Sequence, residues 1–129
     1  MDYPKFILKD IYWSFSEGRI DSIELFTEEV EQYYRSISGK KFPLKWDDII
    51  FNFPAIELQY VKYIDDEPEE PYELVRADNG INFTVRELFY KTHKVGINLE
   101  DDDNCYFEGL MHSGDENEGV PIYFLITGS

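Results

Sequence analysis

The chain has 129 residues, 43% hydrophobic and 17% aromatic, with 27 acids against 12 bases and a formal net charge of −15. That length suits a single domain spanning residues 1–129, and that much ring and aliphatic surface excludes a disordered chain. The acid excess opposes phosphate contact and so excludes free DNA or RNA as a ligand, while no apolar run approaches the roughly 18 residues of a membrane span.

Residues 6 to 15 are rich in strand formers and run into the turn signal Glu17-Gly18, which predicts a first strand. Thr27 then suits an N-cap, Glu28 and Glu29 face the positive end of a helix dipole, and Val30, Tyr33, Tyr34 and Ile37 recur at helical spacing before Gly39. The spacing predicts a helix over about 28 to 37. Residues 49 to 64 alternate in apolarity, most clearly at Leu58 and Tyr60, with an interruption at Pro54, and read as strand, break, strand. The acidic stretch from Asp65 to Pro71 reads as a connection, and Tyr72 to Ala77 as a strand entering the tight turn Asp78-Asn79-Gly80, with Ile81 to Phe83 pairing back.

Thr84-Val85-Arg86-Glu87 has the form of a capping box, with Phe83 and Leu88 at the two staple positions. A second helix is expected from there, ended by a left-handed Gly96. Tyr106 to Met111 and Val120 to Thr127 predict a hairpin of two strands around a long polar loop, Ser113 to Gly119, with the nearly all-apolar second strand inside the sheet. The order β, α, several β, α, β, β is that of an α+β domain: an antiparallel or mixed sheet of about five to six strands with two helices mainly on one face.

Charge is distributed unevenly along the chain. Residues 1 to 64 hold eleven acids and eight bases, whereas residues 65 to 129 hold sixteen acids and four bases. Three stretches concentrate them: Asp65, Asp66, Glu67, Glu69 and Glu70; Glu100, Asp101, Asp102 and Asp103; and Asp115, Glu116 and Glu118. Acidic loops serve solubility, but like charges repel, so this much concentration favours a cationic surface that neutralises them. Tyr63, Tyr72 and Tyr106 flank these stretches and are the expected anchors, since tyrosine adds contact area at low entropic cost.

Catalytic patterns do not emerge. The chain lacks GxxxxGK[ST], GxGxxG, HExxH, GxSxG and paired CxxC motifs, and no cofactor is expected. Asp101-Asp102-Asp103-Asn104 fails the EF-hand spacing, so no calcium or other metal site is assigned. His93 and His112 stand apart in the sequence and are read as surface or partly buried residues, because acid–base work needs convergent partners. Cys105 is single, can close no internal disulfide, and is read as a half-buried filler. Together with an N-terminus (Met1-Asp2-Tyr3-Pro4-Lys5) that lacks a basic flank and a long apolar stretch, this fits a cytoplasmic protein.

Three segments carry a resemblance: Phe83-Thr84-Val85-Arg86-Glu87-Leu88, Asp102-Asp103-Asn104-Cys105-Tyr106-Phe107-Glu108-Gly109-Leu110, and Pro121-Ile122-Tyr123-Phe124-Leu125 with Gly128-Ser129. In these the C-terminal third resembles immunity proteins of bacterial contact-dependent inhibition and polymorphic toxin systems. The resemblance implies a non-enzymatic cytoplasmic protein, a monomer or weak dimer when free, that binds a cognate basic toxin C-terminal domain, often a nuclease, and keeps it inactive. On that reading the acidic groups, with Tyr72 and Tyr106, occlude the toxin's cationic groove. The competing readings are a cytosolic adaptor or scaffold domain unrelated to toxins, and a small hydrolase using carboxylates with His93 or His112.

Overall fold

The computed structural model of the chain describes residues 2–98 and 105–128, without the Tyr63 side chain. In chain order the elements are β1 (Phe6–Ile7), a 3-10 turn (Phe15–Glu17), α1 (Ile23–Ser38), β2 (Ile49–Phe51), β3 (Ala55–Gln59), β4 (Lys62–Ile64), β5 (Glu67–Glu69), β6 (Tyr72–Arg76), β7 (Phe83–Thr84), α2 (Val85–Gly96), β8 (Tyr106–Asn117) and β9 (Val120–Gly128). Five strands form one sheet in the order β1-β8-β9-β3-β6, while β2 pairs with β7 and β4 with β5. Because β3 runs parallel to β9 and the other neighbours are antiparallel, the sheet is mixed. This is the α+β arrangement the element order predicts, with apolar β9 in the middle.

One face of the sheet carries Ile56, Leu58, Val75, Leu110, Tyr123 and Leu125, all buried. Against them α1 places Phe26, Val30 and Tyr34 at a spacing of four, and α2 places Leu88, Phe89 and Val95. Burying a Leu or Phe of this kind contributes about 1.5–3 kcal/mol. Rings close the core: Phe89 stacks on Phe107 with centroids 5.3 Å apart, and Phe26 meets Trp13 edge-on at 5.4 Å.

The first helix starts earlier than its sequence suggests. Ser22 is the N-cap, accepting from the Leu25 N–H at 3.0 Å, whereas Thr27 lies inside the helix and donates its hydroxyl to the Glu24 carbonyl at 2.7 Å. Both residues can cap, and the earlier start is the one that includes Phe26, fully buried against Trp13. Gly39 ends the helix as expected, at φ 71°.

The second helix begins at Thr84, whose hydroxyl accepts from the Glu87 N–H at 3.2 Å, and the staple pair Phe83 and Leu88 is fully buried. The box is only half closed. Glu87 turns away from the cap, accepting from the Asp78 N–H and from Lys91 Nζ, each at 2.7 Å. Gly96 is not a left-handed cap: it is the last helical residue, and Ile97 after it stays right-handed. A Cβ at Gly96 would overlap the buried Phe15 ring, so close packing explains this glycine.

The continuous strand expected over 6 to 15 is interrupted. Phe6 and Ile7 pair with Met111 and Leu110, the chain leaves the ladder, and pairing resumes with Ser14 opposite Tyr106. In the excursion Leu8 and Asp10 are left-handed, at φ 57° and 63°, and opposite them β8 bulges at Gly109, φ 116°. Three further expectations change. The connection after Asp65 contains the β4–β5 hairpin, turned by left-handed Asp65 and Asp66 at φ 52° and 65°. Phe83 pairs with Phe51 of β2 instead of folding back on β6. The polar segment from Ser113 continues β8 to Asn117 and turns tightly through Glu118-Gly119, at φ 53° and 83°.

Gly96→Ala sets helix propensity, worth up to about 1 kcal/mol in favour of Ala, against overpacking onto Phe15, costing about 1–3 kcal/mol. Overpacking dominates, so denaturant unfolding should show a less stable variant; a gain would mean that Phe15 yields freely.

Candidate functional site

The sheet's second face is apolar too, yet no helix among the described residues covers it. Its register aligns one residue from each of the five strands, Phe6, Met111, Phe124, Gln59 and Tyr72, in a continuous row. A second row sets Ile122, Glu57 and Leu74 side by side. Phe6, Tyr72 and Leu74 are 45%, 54% and 41% exposed, and Met111, Phe124 and Gln59 are half-buried. Glu57 is buried among them, with Oε1 accepting from Asn117 Nδ2 at 3.2 Å.

Beside Gln59 and Tyr72 the chain leaves the sheet as the β4–β5 hairpin. Every residue from Ile64 to Glu70 is exposed, so the hairpin presents Asp65, Asp66, Glu67, Glu69 and Glu70 to solvent, with Lys62 the one base in its strands. The four ion pairs among the described residues all lie elsewhere. Tyr72 follows directly, so an acidic finger and an open apolar row share a border.

The other acids that the sequence singles out are not brought to this border. Since β3 and β9 run in the same direction, the hairpin stands at the C-terminal end of β9, whereas Asp115, Glu116 and Glu118 sit at its N-terminal end, across the sheet. There Glu116 accepts from the Tyr3 hydroxyl at 2.6 Å; that bond first, then burial and the carboxylate's charge, raise the Tyr3 pKa. Tyr106 pairs with Gly128 at the hairpin's end of the sheet, but on β8 toward the opposite edge. Asp101, Asp102 and Asp103, and with them the rejected calcium motif, lie outside the described residues, as does the Tyr63 side chain.

His93 is fully buried and both of its ring nitrogens are engaged. Trp13 Nε1–H donates to Nδ1 at 3.0 Å, which leaves the ring proton on Nε2, 2.7 Å from the Gly18 carbonyl it donates to. Burial lowers its pKa, opposed by the bond to Gly18. A histidine so occupied holds the core together and has no nitrogen free for a substrate. His112 packs between Tyr3 and Tyr123, ring centroids 5.2 and 5.0 Å away, and its Nε2 is buried without a hydrogen-bond partner among the described residues. The two histidines thus sit in separate clusters. Among the described residues no group of three His, Cys, Asp or Glu side chains is placed to hold a metal ion, and no helix is long and apolar enough to cross a membrane.

Sequence reasoning found the hairpin's acids and Tyr72 but missed Phe6, Met111, Phe124 and Leu74 as one surface, beside the buried Ile122. Their only local signal is the period-two alternation at Tyr72 and Leu74; Phe124 lies in a nearly all-apolar run that shows none. Comparison of the chain with known protein families, with curated proteins and with solved structures finds no match in any of the three.

The neutral His93 links stability to pH. Its folded pKa lies below the ordinary 6.5, so its contribution is complete above that value and declines as the pH falls, when the unfolded chain takes a proton the folded one refuses. Replacing His93 by Leu leaves Trp13 Nε1 and the Gly18 carbonyl unpaired and should cost about 2–4 kcal/mol at pH 7.5. The gap to the parent, measured by urea unfolding, should narrow toward pH 5; a gap that does not move would contradict a buried neutral ring.

Proposed function

We propose that this chain is a non-catalytic binding protein that holds a basic protein partner, acting in the cytoplasm as the immunity protein of a toxin domain. The observation that carries the reading is the shared border of the exposed acidic hairpin and the uncovered apolar row. A specific interface needs a desolvated centre with aromatic anchors and a polar rim that excludes mismatched partners. Tyr72, Leu74, Phe6 and Phe124 supply the first, and Asp65, Asp66, Glu67, Glu69 and Glu70 the second.

The two parts divide the work. Five exposed carboxylates against one lysine, Lys62 opposite Glu69, attract a basic groove at a distance and raise the association rate, by about 10- to 1000-fold in steered systems. The apolar row sets how long the complex lasts, because its burial has no salt-dependent part. No reaction is involved: a carboxylate row lying in a cationic substrate groove excludes substrate by occupying the place of its phosphates. The segments that resemble immunity proteins supply the toxin as the partner, and the net charge of −15 supports a basic one.

The test is co-expression with the C-terminal domain encoded by the adjacent gene. Growth should be protected by the parent chain and lost with Asp65→Lys, Asp66→Lys and Glu67→Lys together, all three exposed turn or strand positions that the core does not use. Protection by the triple variant would remove the hairpin from the interface, and an absence of binding by the parent would remove the toxin reading. For the bound pair, raising salt from 0.05 to 0.5 M, which shortens the Debye length from roughly 14 to 4 Å, should slow association strongly and leave dissociation nearly unchanged.

A further inference from the structure

At the sheet edge opposite the hairpin, the excursion of residues 8–12 opens a cleft of about 410 Å³ against α1 and the start of β8. Trp13, Phe107 and Ile11 form its buried floor, the half-buried Tyr33 and the exposed Tyr12, Tyr106 and Ile37 its walls, and the exposed Asp10 and Glu108, the latter with its carboxylate beside Gly128, its rim. We propose that this cleft is a binding site for an arginine side chain presented by a peptide or protein segment.

The lining changes from apolar at the floor to acidic at the rim. Arginine has an apolar stem and a planar cationic head that lies on aromatic faces and takes carboxylates in pairs. A cleft built only for an apolar side chain has no use for two acids at its mouth, and one built only for a metal has no use for an aromatic floor. The walls are also held in place. Trp13 meets Tyr33 edge-on at 5.5 Å and is fixed behind by His93, and Tyr12 packs on Tyr34 at 5.3 Å. Burial first, and then the nearby Tyr106, Glu17 and Cys105, raise the Tyr33 pKa, so this wall stays a neutral phenol. The left-handed backbone at Leu8 and Asp10, costly in both, keeps Asp10 at the mouth instead of in the ladder.

This site stands apart from the acidic hairpin and requires no toxin. Its test therefore uses the free chain with three blocked tripeptides, Gly-Arg-Gly, Gly-citrulline-Gly and Gly-norleucine-Gly, followed by NMR. The reporters are the Trp13 indole N–H and the backbone amides of residues 10–13 and 106–108. The arginine peptide should shift these saturably and bind about tenfold tighter than citrulline, its neutral near-isostere. Asp10→Asn with Glu108→Gln, which keeps shape and suits the left-handed backbone at residue 10, should remove that preference. Tyr106→Ala should weaken the arginine peptide while the amide spectrum elsewhere stays that of the parent. Norleucine binding as tightly as arginine would make the cleft an apolar groove and overturn the proposal, as would an arginine peptide that shifts none of the reporters or a preference that survives loss of both carboxylates.

Discussion

The hydrogen-bonded line from Trp13 through His93 to the Gly18 carbonyl determines how this chain is arranged. It joins the sheet edge, the end of the 3-10 turn and the last turns of α2, three segments that no local rule brings together. Leaving either end unpaired in the core would cost about 1–3 kcal/mol, and the surrounding rings of Phe26, Tyr33 and Phe89 all meet Trp13 edge-on. With Trp13 fixed there and Ile7 paired to Leu110, more residues separate the two edge pairings than β8 can match. The surplus must loop out. Left-handed Leu8 costs about 1–2 kcal/mol, which its own burial, worth about 1.5–3 kcal/mol, offsets. The excursion and the cleft beneath it are thus consequences of a packing demand made from the far side of the core.

That demand explains which elements were legible in the sequence. The start of α2 could be read because Phe83, Thr84, Glu87 and Leu88 are neighbours along the chain and their signal is complete before any tertiary contact forms. Its end could not, since Gly96 answers to Phe15, eighty-one positions away. For α1 the sequence offered two cap residues, and the choice of Ser22 over Thr27 depends on the room Trp13 leaves for Phe26. Residues 6 to 15 have uniform strand propensity; the break within them is set by the register of β8. Two polar loops turned out to be hairpin ends because the pairs Asp65-Asp66 and Glu118-Gly119 adopt left-handed turns without the usual Asn-Gly signature.

The acids teach a different lesson. In the sequence the second half of the chain looks like one negative field, but the parallel pairing of β3 and β9 sends its described parts to opposite ends of the sheet. Val120 to Phe124 alone spans about 13 Å of strand, more than the roughly 8 Å over which a charge is felt at physiological salt. A cation approaching the β4–β5 hairpin is drawn by the five carboxylates there and hardly by Asp115, Glu116 and Glu118. Net charge along a sequence therefore overstated the field and concealed its direction.

The apolar half of the candidate surface was concealed for a simpler reason. One exposed Phe, Tyr or Leu is ordinary on any protein, and Phe6, Tyr72 and Leu74 lie far enough apart in the sequence to pass as three such cases. Alternation tells a reader that a strand has two faces without saying which face the helices will take. Here α1 and α2 both pack on the face of Leu58 and Tyr123, leaving Gln59 and Phe124, one residue later on each strand, turned away from them. Only the cross-strand register then makes a row of residues from five distant segments. Solvent contact with such a row is unfavourable in proportion to its apolar area, and the chain supplies no element of its own among the described residues to cover it. Two copies meeting through that face would bring the like charges along its border together, a repulsion that a surface of opposite sign would not meet.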